Sequence, residues 1–220
     1  MEAVDAFDEI AEEWNEYRKH PSHALSLLLE HTRGGRVGVD AGCGNCRNAL
    51  VLAKKFEKVY AFDASKKMVE KAFAAVKAAG LEDRILVSTA KIQAMPLSAS
   101  VADAVFFMAV LHHLQTAGER LAALKEARRV LRPGGRLLLT VWNKRPAFGK
   151  KEAMVAWRKK DGLAVQRYYY FFSEDELKQL GEKAGLRLIE LFFEKNGLRH
   201  AKEGAQNICA VFEKPKRLKA

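Results

Sequence analysis

Val37-Gly-Val-Asp-Ala-Gly-Cys-Gly-Asn45 reads as the end of a buried strand followed by a glycine turn. The apolar run Val37 to Val39 suits a parallel strand, and a helical run from Asn48 through Lys55 follows the turn. Strand, glycine turn and helix together make a nucleotide-cofactor loop. Glycine is required there because a β-carbon would hold the ligand away from the backbone.

The spacing selects among cofactors. A dinucleotide loop wants a third glycine, where this chain has Arg47, and Asp40 stands two positions before Gly42. A carboxylate beside a pyrophosphate is unfavourable, whereas beside an ammonium or sulfonium it is favourable. D-x-G-x-G therefore points to S-adenosylmethionine (SAM). Asp63 closes the next apolar run, Val59 to Phe62, where an acid can hold both ribose hydroxyls.

The 220 residues fit one domain with a full core, 1–220, in which the N-terminal helices of 1–33 cover the cofactor site. No apolar run reaches the roughly 20 residues of a bilayer span, and the acidic N-terminus is unlike a signal peptide. The expected location is cytoplasmic, with no membrane contact. Cys43-x-x-Cys46 lacks the second pair of a zinc site, so both read as small residues of the turn and no metal is expected. The net charge of +11 suits an anionic partner such as nucleic acid, or a merely lysine-rich surface.

The remaining elements follow in order. Val4, Phe7, Ile10, Ala11 and Trp14 share one helical face, and a second helix is expected from Ser22 to His31. Ser65 caps a helix to about Ala79, and strands are expected at Ile85 to Thr89 and Ala102 to Met108. A helix over Glu119 to Leu131, a tight turn at Arg132 to Gly135 and a strand at Leu137 to Trp142 come next. Asn143 to Arg167 reads as a basic loop with one helix. Ser173 opens a capping-box helix, and strands at Leu186 to Glu194 and Asn207 to Glu213 end the fold. This order fits a Rossmann-like, doubly wound α/β fold with a seven-stranded sheet whose last strand is antiparallel.

Asp40-Ala-Gly-Cys-Gly-Asn45, Ala61-Phe-Asp-Ala-Ser65 and Arg129-Val-Leu-Arg-Pro-Gly-Gly135 resemble class I SAM-dependent methyltransferases. More narrowly, Ala109-Val-Leu-His-His-Leu-Gln-Thr116, Val141-Trp142, Arg18-Lys-His-Pro21 and Arg167-Tyr-Tyr-Tyr-Phe-Phe172 resemble the tRNA wobble-uridine carboxymethyl methyltransferases of eukaryotes and archaea. The chain departs from that family at Cys46 (usually glycine), Tyr170 (usually histidine), Lys91 and Ser22.

The resemblance implies methylation of a carboxymethyl group on the wobble uridine of tRNA, with a small zinc-binding activator subunit as partner. It assigns cofactor contacts to Asp40, Gly42, Gly44, Asn45, Asp63, Ala64, Ile92 and Ala109. His112 and His113, at the carboxyl edge of the sheet, with Arg18 and Arg167, are the candidate catalytic residues, His113 slightly favoured. Tyr17, Tyr168, Lys144 and Arg145 are candidate substrate contacts. A carboxylate acceptor is ionised at neutral pH, so such a site needs orienting cations rather than a general base. Two alternatives stay open: methylation of a small molecule, and a SAM- or RNA-binding module without catalysis.

Overall fold

The computed structural model describes residues 3–143 and 151–216. Eight strands form one sheet in the order β3-β2-β1-β4-β5-β10-β8-β9. These are β1 (Gly35–Ala41), β2 (Phe56–Asp63), β3 (Ile85–Thr89), β4 (Ala102–Met108), β5 (Leu131–Trp142), β8 (Arg187–Lys195), β9 (Leu198–His200) and β10 (Asn207–Glu213). Strands β1 to β5 pair in parallel, and β10 runs antiparallel to both β5 and β8. The seven expected strands are all present. The eighth, β9, is added by a two-residue hairpin loop, Asn196-Gly197, with φ of 52° and 83°. Asn-Gly suits that turn because both positions need positive φ.

Alternation along the strands feeds two cores. Val105, Phe107 and Leu139 pack beneath α5 (Ala117–Val130) and α6 (Glu174–Lys183). Ala104, Phe106 and Leu138 pack on the other face, under α2 (Ala24–Leu29), α3 (Ala49–Leu52) and α4 (Lys66–Ala78). Capping residues set the helix starts: Ser65 accepts from the Met68 N–H, and Thr116–Glu119 and Ser173–Glu176 form reciprocal capping boxes.

Several expectations change. The helix after the glycine turn shrinks to Ala49–Leu52, because Lys54 and Lys55 bond three residues back, a 3₁₀ tightening that turns the chain into β2. Arg132 to Gly135 is a bulge inside β5, not a turn before it. The stretch expected to be a loop with one helix contains instead a hairpin, β6 (Glu152–Arg158) and β7 (Ala164–Tyr170), which forms a separate two-stranded sheet. Its residues alternate exposed and covered, and Asp161-Gly162 turns it with Gly162 at φ 86°.

Helix α1 (Ala3–Tyr17) packs between this hairpin and α4. Ala6 and Ile10 bury against Val165 of β7. Asp8 accepts from Ser65 Oγ (2.5 Å) and the Lys67 N–H (3.1 Å), so one α1 carboxylate serves the N-terminus of α4. The result is a lid element held at both edges over the carboxyl ends of β1, β2 and β4.

Candidate active site

A cavity of about 680 Å³ opens at that edge of the sheet, where ligands bind in doubly wound folds. Its floor at one end is the glycine turn. Gly42 has φ 80°, and a β-carbon there would lie 2.3 Å from the Val110 side chain. Gly44 has φ 54°, and its β-carbon would meet the Trp14 ring at 2.8 Å. Cys46 holds φ 64°, so the backbone keeps a glycine-like conformation although the residue is cysteine.

Asp63 lines the cavity, and its two carboxylate oxygens accept from the Gly44 N–H (2.8 Å) and the Ser65 N–H (2.9 Å). Burial raises this carboxyl above its ordinary range, while the backbone donors of Ser65 and Gly44 oppose the rise. Each oxygen keeps a lone pair for a further donor. Ala64, Ile92 and Ala109 lie on the same wall.

The opposite end carries histidines and aromatics. His112 and His113 occupy a single 3₁₀ turn, Leu111–His113, after β4. The Trp142 N–H donates to His112 Nδ1 (3.2 Å), so the neutral ring holds its proton on Nε2, which is buried without a partner. Burial keeps His112 neutral by pushing its pKa well below the usual histidine range, with His113 and Arg167 adding to the effect. His113 donates from Nδ1 to the Tyr168 carbonyl (3.0 Å), and burial lowers it to about 4. Tyr169 stacks on Trp142 at 4.1 Å and on His112 at 5.0 Å.

Arg167 reaches the same end from β7. It is 9% exposed, and its guanidinium has no hydrogen-bond or ion-pair partner among the described residues. It lies over the Trp157 and Tyr169 rings at 5.1 and 5.4 Å. Burial lowers its pKa, and nearby Arg18 adds to that. Arg18 and Arg47 also line the cavity, with Arg47 lowered to about 10 by burial first and Arg18 second. This wall is therefore built for an anion.

Eleven of the sequence candidates thus share one cavity: Tyr17, Arg18, Gly42, Gly44, Asp63, Ala64, Ile92, Ala109, His112, His113 and Arg167. Three do not line it. Asp40 sits behind the glycine turn, fully buried, with neither oxygen in a hydrogen bond. Burial raises it to about 7, against the pull of Arg47 and with a push from Asp63, and the Ala49 N–H, outside hydrogen-bond geometry, adds a smaller lowering pull. Asn45 instead ties down the end of α1, donating to Asn15 Oδ1 and to the Arg18 carbonyl. Tyr168 turns outward, its hydroxyl bonded to Glu152 and to the Gln115 carbonyl. Lys144 and Arg145 lie outside the described residues. The sequence reading missed Trp14, Thr140, Tyr169, Gln206 and Asn207, all on the cavity wall. Among the described residues, no helix is long and apolar enough to cross a membrane.

Residues 39–139 match the family described as a methyltransferase domain. The tRNA (carboxymethyluridine(34)-5-O)-methyltransferase of Schizosaccharomyces pombe is 27% identical over 86% of this chain and 90% of its own. Among solved structures, the complex of the Haloferax volcanii Trm112 methyltransferase activator with a putative methyltransferase has a chain matching at TM-score 0.73. That match has 18% identity and covers 99% of this chain and 100% of that one. The Burkholderia thailandensis 1,6-didemethyltoxoflavin-N1-methyltransferase, solved with S-adenosylhomocysteine, matches at TM-score 0.73 and 19% identity, over 97% of this chain and 88% of its own. The loop, the acid at the end of β2 and the match agree: residues 39–139 form a SAM-dependent methyltransferase domain.

Proposed function

We propose that this enzyme methylates the carboxylate of a carboxymethyl group on the wobble uridine of tRNA. One observation carries the reading: the acceptor end of the cavity offers an unpaired buried guanidinium, Arg167, beside the unpaired Nε2–H of a neutral His112. A carboxylate satisfies both donors. It needs no general base, and both histidines are poor bases for a bound neutral acceptor. The net charge of +11 and the S. pombe relative's name support tRNA as the carrier.

Bound SAM supplies an electrophilic methyl group on a sulfonium sulfur. Asp63 would hold the ribose hydroxyls with its two remaining lone pairs. Gly42, Gly44, Ala64, Ile92 and Ala109 would line the bound cofactor, and Arg18 and Arg47 would balance its carboxylate. Asp40 and Asn45 act from behind the wall, Asp40 through its charge and Asn45 by holding α1 in place. Helix α1 and the segment 20–23 cover the cofactor end, whereas α2 packs on the sheet away from the cavity, with 1–220 acting as one domain. On the acceptor side Arg167 and His112 orient the carboxylate, and in-line positioning provides most of the rate. Tyr17, 60% exposed at the cavity, meets the RNA outside, in the cytoplasm.

We also infer a small activator subunit. Among the described residues β3 pairs only with β2, and Leu86 on β3 and Phe73 on α4 are 41% and 57% exposed. An open edge beside exposed apolar side chains suits strand addition by a partner. Sedimentation of the chain with and without small zinc proteins tests this.

The test of substrate is radiolabelled SAM incubated with tRNA, followed by mild alkali and nucleoside mass spectrometry. Base-labile label on a modified uridine is expected, because an ester hydrolyses and an N- or C-methyl does not. Alkali-stable label in tRNA would refute the carboxymethyl acceptor. A second reading, a small-molecule acceptor, has the cavity volume in its favour, since about 680 Å³ is ample for one. Label confined to the small-molecule fraction would select it.

A further inference from the structure

One amide on the acceptor wall has its polarity fixed from behind. Asn207 opens β10, opposite Trp142 of β5 and Glu194 of β8, and lines the cavity. Glu194 is fully buried. Its Oε1 accepts from the Gly197 N–H and its Oε2 from Asn207 Nδ2, both at 2.6 Å. A carboxylate only accepts, so the Asn207 NH₂ must face Glu194 and Oδ1 must face away. A flipped amide would set two acceptors together inside the protein and lose a charge-assisted bond. Nothing among the described residues donates to Asn207 Oδ1.

The frame around this acceptor is rigid. The Gln206 N–H donates to the Glu194 carbonyl (2.8 Å), and the Asn143 N–H donates to the Gln206 carbonyl (3.0 Å). Beside it, on the neighbouring strand, Trp142 begins a stack of rings with Tyr169 and His112. A flat heterocycle fits beside such a wall, and a fixed acceptor at its edge asks that heterocycle for an N–H.

We propose that Asn207 Oδ1 reads the imide N3–H of a uracil-type base, and that Glu194 is the positioning residue that sets the direction of this contact. The inference rests on the carboxymethyluridine reading and adds how the base is selected. A uracil ring presents a donor at N3, whereas a cytosine ring presents a lone pair there. Against a fixed Oδ1 that lone pair is repelled, and the contact is lost as well.

The experiment compares kcat/KM on two synthetic anticodon stem-loops, one bearing 5-carboxymethyluridine and one 5-carboxymethylcytidine. S-adenosylhomocysteine affinity serves as the check on folding. Wild-type enzyme should prefer uridine by about 5- to 150-fold, the range for an unmade buried hydrogen bond. Asn207→Ala should lower activity on the uridine loop by about 3- to 10-fold and raise it on the cytidine loop, where it removes the repulsion, so that the preference shrinks. Equal losses on both loops would mean that Asn207 only supports the wall, and would overturn the proposal. If Asn207→Ala fails to bind S-adenosylhomocysteine, Glu194→Gln carries the test. In that variant the Gly197 N–H holds the amide oxygen, so the Gln NH₂ faces Asn207 and turns Oδ1 away from the cavity; the preference should fall or reverse, and an unchanged preference overturns the proposal. Transfer by wild type to neither loop would overturn the carboxymethyluridine reading, and this inference with it. Transfer without preference between the loops overturns this inference alone.

Discussion

Replacing Asp40 by asparagine should remove a specific pH dependence from the stability of the ligand-free protein. Asp40 is fully buried, has no hydrogen bond, and titrates at about 7 instead of 3.8. A carboxyl raised in the folded state contributes stability that is present below its unfolded value and is lost as pH rises through its folded value. Between pH 5 and pH 8 the wild type therefore loses roughly 2.5 kcal/mol that Asp40→Asn does not lose. The variant buries an unpaired amide, which costs about 1–3 kcal/mol at any pH. That cost cancels when the pH 5 and pH 8 values of each protein are subtracted. Urea unfolding at the two pH values, wild type against variant, measures this difference of differences. Parallel pH slopes would refute the argument, because they would mean that Asp40 is solvated or paired in solution. Saturating SAM should shrink the wild-type slope, since a cationic ligand near the turn draws the carboxyl toward its ionised form.

Asp63→Ala leaves the Gly44 and Ser65 N–H groups unpaired and removes the ribose acceptor; calorimetric titration should show S-adenosylhomocysteine binding weakened by about 1.5–3 kcal/mol. Gly42→Ala places a β-carbon 2.3 Å from Val110 at φ 80°, so thermal unfolding should register a loss of about 2–4 kcal/mol. Arg167→Met keeps length without charge and should lower kcat/KM about 10- to 100-fold, with cofactor affinity unchanged in the same titration. With His113 at about 4 and His112 depressed, the rate profile should be flat from about pH 6 to 9; a rise through neutral pH would indicate that a histidine acts as a base.

Local signals carried the donor end of the site. Asp40 to Asn45 and Asp63 stand in one βα unit, and Ser65 and Ser173 begin helices because their hydroxyls accept bonds from donors three residues on. The same signals misplaced Asn45, whose side chain is taken by the end of α1, thirty residues earlier and invisible to any local pattern. His112 and His113 are adjacent on one turn, and two distant backbone groups, the Trp142 N–H and the Tyr168 carbonyl, distinguish their tautomers. The hairpin was hidden for a related reason. Its strands bury their alternate residues against α1 and the histidine turn rather than against the main sheet, so the usual apolar run is absent. Its Asp161-Gly162 turn and the Asn196-Gly197 turn were both readable, and both went unread. Glu194 and Asn207 meet across two strands, a pairing that register alone creates.

Apart from His112 and His113, the acceptor end of the cavity is built from a later part of the chain than the glycine turn and Asp63, and that division has a consequence for how such an enzyme changes over time. The family match ends at residue 139, while Trp142, Arg167, Tyr169 and Asn207 lie beyond it. Among the described residues the hairpin strands pair only with each other, so their side chains can be exchanged without breaking a ladder of the main sheet. Retargeting to a new acceptor is then a matter of rewriting roughly the last third of the sequence, while the donor machinery is inherited intact. Kinship measured on the first part reports which chemistry is performed, and the second part records on what.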